Sequence, residues 1–137
     1  MDLTHIEASF FKYLYENLEL TDQIKILEDI RLQDFEGLTK WVVIDSLTNR
    51  LGDQPKQLWF LHIAVHKAMA HTKVELIRLC DKVEKLLDVG TEIQVYDYDS
   101  HEAIGTMTVS ETSLSPAMPH FSGGMFRSMT VGVVYAA

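Results

Sequence analysis

Between Gln57 and His66 the chain alternates in character at every step. Trp59, Leu61, Ile63 and Val65 are uniformly large and apolar, while Leu58, Phe60, His62, Ala64 and His66 become polar toward the end. A period of two, in aromatic and β-branched residues, predicts a strand with one face in a core. That puts His62 and His66 on the outer face. KWVVIDSL (Lys40 to Leu47) reads as a strand with a buried middle, and TNRLGDQP (Thr48 to Pro55) as turn chemistry. EIQVYDYD (Glu92 to Asp99) alternates and enters a polar turn at Asp99 to Glu102. AIGTMTVS (Ala103 to Ser110) then returns as the second arm of a hairpin. In the closing FRSMTVGVVYAA, Met129, Val131, Val133 and Tyr135 share one face of a final strand.

Two segments carry the helical period instead. Ile6, Phe10, Leu14 and Leu18 recur along one stripe, with Tyr13 beside them. Thr4 and Glu7 have the spacing of a capping box ahead of it. Leu76, Leu79, Cys80, Val83, Leu86 and Leu87 form the apolar face of a second helix, with Thr72 and Glu75 as a second capping box. Asp81 and Lys85 stand at i, i+4 as an expected ion pair, and Gly90 supplies the stop. Thr21 to Glu36 is read as a short strand or irregular hairpin, because Ile24, Ile26, Ile30 and Leu32 fall at even spacings before Gly37. Glu111 to Gly124 is read as a long connection holding Pro116, Pro119, Gly123 and Gly124. Loops of that length in small domains are commonly contact segments or mobile arms. Leu114, Met118 and Phe121 punctuate it, with His120 and Met125 alongside, so it either folds back on its own domain or meets a partner. The expected architecture is a single α+β domain over residues 1–137: one mixed, mostly antiparallel sheet with two amphipathic helices packed on it. The strand-helix-strand unit around Thr72 to Asp88 permits a parallel pair.

Composition narrows the chemistry. Of 137 residues, 47% are hydrophobic and 23% charged, as in an ordinary globular protein. No run approaches the roughly 18 to 20 apolar residues that span a bilayer. The N-terminal MDLTHIEASFF has neither the basic start nor the cleavage site of a signal peptide. Cys80 is the single cysteine, which fits a chain made in a reducing compartment, and its place on an apolar helix face makes it a core residue. A formal charge of −8 argues against general affinity for nucleic acid. His62 and His66 raise the question of a metal. A zinc-protease helix would need Glu directly after the first His, and that position is Ile63. No nearby Cys or carboxylate completes a ligand set. There is no Gly-rich phosphate loop, no Gly-x-Ser-x-Gly elbow and no Cys-x-x-Cys pair. Acidic pairs such as Asp97 and Asp99 lack convergent partners for acid/base work. The reading is therefore no catalytic residues, no cofactor, no metal and no enzyme.

The element order goes further: a helix of about four turns, WVVIDSL, LWFLHIAVHK, VELIRLCDKVEKLL, a strand ending in YDYD, a turn, and MTVGVVYA. Together these resemble the tail terminator (tail completion) proteins of long-tailed bacteriophages. The similarity spans nearly the whole chain and lies in order, length and pattern; Thr21 to Glu36 and Glu111 to Gly124 fit it least. The resemblance implies a structural virion protein that forms a ring, commonly a hexamer. That ring caps the tail tube, ends its polymerisation and joins the tail to the head connector. Its implied partners are further copies of itself, the tail tube protein and the connector or neck protein. Its implied place is the tail-neck region of the virion, after assembly in the bacterial cytoplasm. The resemblance implies no membrane and no sequence-specific nucleic acid, with a lumen through which DNA can pass; the charge of −8 leads to the expectation of a wall that does not bind it. The family has no catalytic signature to carry over. The contact residues expected here are Leu114, Met118, His120, Phe121, Met125, His62 and His66. The alternatives are another neck, connector or tail-joining protein, and a small His-dependent enzyme or ligand-binding module.

Overall fold

A computed structural model describes residues 3–27, 38–47, 56–66, 71–119 and 124–135. The chain opens with helix α1 (Leu3–Leu14), runs through a π-helical turn (Tyr15–Glu19) and ends in the short α2 (Leu20–Asp22). Strands β1 (Lys25–Leu27), β2 (Lys40–Leu47) and β3 (Lys56–Val65) follow, then helix α3 (Thr72–Leu86). The last third is β4 (Glu92–Tyr96), β5 (Ala103–Leu114), the two-residue β6 (Met118–Pro119) and β7 (Met125–Tyr135). The strands form one sheet in the order β1-β2-β3-β7-β5-β4, with β6 also on β7. β1 and β2 are parallel, and every other pair is antiparallel. This is the expected α+β class.

The alternation in β3 does what its sequence implies. Trp59, Leu61, Ile63 and Val65 are fully buried in one core with Val42, Ile44, Met129, Val131, Val133 and the apolar faces of α1 and α3. Both helices therefore lie on the same side of the sheet. Ile6, Phe10, Leu14 and Leu18 are all fully buried, and each contributes roughly 2 kcal/mol of apolar burial. Phe10 stacks on Trp59 with ring centroids 3.9 Å apart and planes 9° from parallel. Around that stack, the Glu7 carboxylate accepts from Gln57 Nε2 at 2.9 Å and from Trp59 Nε1 at 3.0 Å. Gln57 is buried, so its amide needs that acceptor. The sequence assigned Glu7 only to helix capping; its carboxylate also ties the first helix to the central strand.

α1 also seals an edge. Ser9 Oγ accepts from the Tyr96 amide at 2.9 Å, and His5 Nδ1 accepts from the Tyr98 amide at 2.8 Å. Lys12 Nζ lies 3.9 Å from the centre of the Tyr96 ring. β4 is thus covered by a helix rather than left open. Beyond it, Asp97 Oδ1 accepts from the amides of Asp99 (2.9 Å) and Ser100 (3.0 Å), fixing the turn that returns as β5. These two amides hold the Asp97 carboxyl below its ordinary 3.8, with the nearby His5 adding to the effect.

Several expectations need correction. The first helix continues through Thr21 and Asp22, so the strand expected over Thr21 to Glu36 starts only at Lys25; residues 28–36 of that segment lie outside the described residues. The cause is the π-helical turn, which shifts the phase of the apolar stripe and carries the helix on. Gln23 then ends it at φ 60°, with its amide bonded to the Glu19 carbonyl at 3.0 Å. No parallel pair forms across α3: β3 and β4 are separated by β7 and β5, and α3 crosses both. The N-cap position of α3 is His71, in the left-handed region and without a side-chain cap bond, not Thr72. Glu75 is held instead by Lys40 Nζ at 3.0 Å, which keeps its carboxyl below the usual range. Asp81 and Lys85 form no ion pair among the described residues; Lys82 reaches across to Asp22.

Two outcomes test this account. Glu7→Ala leaves the Gln57 amide and Trp59 Nε1 facing a cavity, and should lower stability by about 1–3 kcal/mol, with Glu7→Gln less harmful. Urea unfolding followed by Trp fluorescence reads both variants. Asp97 has a folded-state pKa below its unfolded value, so its contribution is complete above about pH 4 and fades as pH falls through the lowered value. Asp97→Ala should lose stability at neutral pH and show a shallower acid limb than the parent chain.

Candidate functional site: the outer sheet face and the long hairpin

The sheet face away from the helices has its own small core. Leu27, Trp41, Val43 and Ala64 are buried there, with Leu38 and Phe126 packed against them. His66 lies just past the end of β3, half-buried, its ring 6.5 Å from that of Trp41. His62 sits between Phe60 (5.6 Å) and Phe126 (5.9 Å), and its Nε2 is 3.6 Å from Asp45 Oδ2. Both imidazoles do point to the outer face, as the alternation requires. They are not ordinary exposed side chains, however, because Phe126 arrives from the far end of the chain to wall in His62. No cluster of three or more His, Cys, Asp or Glu residues that could hold a metal occurs among the described residues.

Farther along the same face, Lys56 Nζ pairs with Glu111 Oε1 at 2.9 Å. The two come from β3 and β5, on either side of β7, and their contact passes over Gly132. A Cβ at Gly132 would lie 2.8 Å from Glu111 Cγ and 3.0 Å from Leu58 Cδ2. Glycine here leaves the space through which the two charged side chains meet. Neither Lys56 nor Gly132 was flagged by sequence, since their proximity depends on the order of strands.

The segment expected as a loop from Glu111 to Gly124 is strand at both 111–114 and Met118–Pro119, and its residues 120–123 lie outside the described residues. β5 continues to Leu114, β6 takes Met118 and Pro119, and β7 begins at Met125. Thr112, Ser113 and Leu114 pair with Val131, Thr130 and Met129, so a Ser- and Thr-rich stretch is held extended by a strand distant in sequence. Ser110 is the extra residue of a β-bulge: Val109 opposes Val133 and Glu111 opposes Gly132. Ser115 fastens the end of the arm. Its amide donates to the Ser128 carbonyl (2.8 Å), its Oγ accepts from the Ser128 amide (2.9 Å), and its carbonyl accepts from Arg127 Nε (2.8 Å). Leu114 and Met125 are half-buried against the main core, while Met118 is 44% exposed. Of the contact residues expected from sequence, Leu114, Met118 and Met125 therefore gather on this hairpin. His62 lies on the outer face, with His66 just past the end of β3. His120 and Phe121 are outside the described residues.

Cys80 is buried on the inner face of α3, and burial pushes its thiol up to about 11, against the pull of the Arg127 charge. It is core, as its position on the apolar stripe implies.

No family model matches this chain, and no curated protein does. A solved protein structure, known only by a bare identifier, aligns over 100% of this chain and 97% of its own length, with a TM-score of 0.67 and 11% identity. That likeness supports the fold alone. No helix among the described residues is long and apolar enough to cross a membrane.

The state of Cys80 gives a direct check. A disulfide-exchange reagent at about pH 8, where an exposed thiol near 8.5 reacts readily, should label the native protein only at its unfolding rate, and at once in denaturant. Rapid native labelling would contradict the packing of α3.

Proposed function

We propose that this protein is a structural component of a long-tailed phage virion that works as a tail terminator: a homo-oligomeric ring that caps the tail tube, ends its growth and meets the head connector. In this reading it has no catalytic site and its work is done through interfaces. The order of elements supports it, since helix, paired strands, helix and closing hairpin follow the pattern that resembles that family.

The observation that carries the reading is the β5–β7 hairpin. Past Thr91 nothing pairs with the outer side of β5 among the described residues, and the arm goes on through Leu114 and Ser115 to the exposed Met118. A ring needs a heterologous contact, in which two different patches of one subunit meet. A strand edge with an exposed apolar residue at its end provides one such patch. The charge of −8 suits a wall beside which a phosphate backbone must pass without sticking.

Electron microscopy and sedimentation of the purified protein test this. Annular particles are expected, alone or when tail tubes are added. Met118→Asp should abolish them while leaving the circular dichroism spectrum and melting curve unchanged. A 15.6 kDa species at every concentration, including with tail tubes, would remove the ring reading.

A further inference from the structure

Where α1 meets the β4–β5 turn, one imidazole uses its two nitrogens differently. His5 is half-buried in the first turn of α1, and its Nδ1 accepts the Tyr98 amide at 2.8 Å. Its Nε2 faces Asp97 Oδ2 at 3.6 Å. A ring nitrogen that accepts an N–H carries no proton, and a neutral imidazole has one donor and one acceptor. The single proton of neutral His5 is therefore on Nε2, the side of the Asp97 carboxylate. The second nitrogen thus fixes which one is free to hold the main chain.

Protonation removes that arrangement. An imidazolium has two donors and no acceptor, so neither orientation of the charged ring can receive the Tyr98 amide. The added charge also falls in the first turn of a helix, where a cation is unfavourable. Asp97 offsets this, and among the described residues it is the charged group set against His5 from the turn. Asp99, His101 and Glu102 of the same turn are exposed and form no ion pair with it among the described residues. On α1 itself, Glu7 is turned to Gln57 and Trp59, and Lys12 lies over the Tyr96 ring. The remaining ties do not depend on the imidazole. Ser9 Oγ still accepts from the Tyr96 amide, and the turn is closed by its own bonds from the Asp97 amide to the Glu102 carbonyl (2.8 Å) and from the His101 amide to the Asp97 carbonyl (2.9 Å).

We infer that His5 is a pH-sensitive latch between α1 and the β4–β5 turn. Neutral, it fastens the start of the helix to the Tyr98 main chain. Charged, it releases that amide and leaves the helix held at Ser9 and Lys12. The contact is closed above the range in which histidine titrates, about pH 5 to 8, and open below it. Release frees a main-chain donor just past the end strand of the sheet, so acid opens part of an edge that the helix otherwise covers. The latch stands or falls independently of the ring reading.

The test is nitrogen-15 NMR of the full chain between about pH 8 and about pH 5, the span over which histidine changes charge. At the upper end His5 should show a bare Nδ1 and a protonated Nε2. Protection of the Tyr98 amide from solvent exchange, corrected for the intrinsic effect of pH, should fall at least about tenfold across the range and follow the titration of His5. The Tyr96 amide, bonded to Ser9, should keep its protection. His5→Asn puts a carbonyl oxygen in place of Nδ1 that takes up no proton in this range, so Tyr98 should stay protected throughout. A proton on Nδ1 at the upper end overturns the inference. So does equal Tyr98 protection at both ends, or a His5→Asn chain that responds to pH as the parent does. If that variant fails to make the contact at any pH, the two measurements on the parent decide.

Discussion

Ten consecutive residue pairs join Lys56–Val65 to Met125–Val134, and the rest of the molecule is arranged around that ladder. β3 brings the large apolar side chains that need covering; β7 brings the segment nearest the C-terminus to the middle of the sheet. Because side chains alternate, the ladder separates the protein into a thick face and a thin one. On the thick face, Trp59 meets Phe10, and Glu7 ties both to Gln57. On the thin face, Phe126 meets His62, and Trp41 closes a smaller apolar patch.

The same ladder determines what is left open. β7 is matched along its length by β3, but on its other side by β5, then Ser115, then β6. β4 covers only the first part of β5, and α1 covers β4. Among the described residues, the far arm of the hairpin thus has a strand partner on one side only. The arm lies level with the middle of the sheet, Thr112 across Val131 from Trp59 and Leu114 across Met129 from Leu61, so its edge runs beside the core that the helices cover.

The elements readable from sequence were those whose pattern is local. Lys40–Leu47 was found to the residue from its continuous apolar middle, and β3 almost so, because its alternation over ten residues admits one register. The stripe from Ile6 to Leu18 and the inner face of α3 were equally plain. What failed depended on partners far away. Thr112 and Ser113 look like loop residues until Val131 and Thr130 pair with them. The even spacing of Ile24 and Ile26 suggested a strand from Thr21 on, but a π-helical turn carried the helix to Asp22. His62 was assigned to the correct face, yet its burial comes from Phe126, sixty-four positions later in the sequence. Leu114, Met118 and Met125 were expected as contact residues from their apolar character; that they stand on paired strands depended on β7, distant in sequence.

Hydrogen exchange at individual amides addresses the outer edge of β5, toward which Thr112 and Leu114 direct theirs, without altering any residue. In dilute solution the amides of Thr112 and Leu114 should exchange quickly while that of Ser115, bonded to Ser128, is protected. As concentration drives assembly, the first two should become protected together. Assembly that leaves Thr112 and Leu114 exchanging at their dilute rate would contradict a ring contact at this edge.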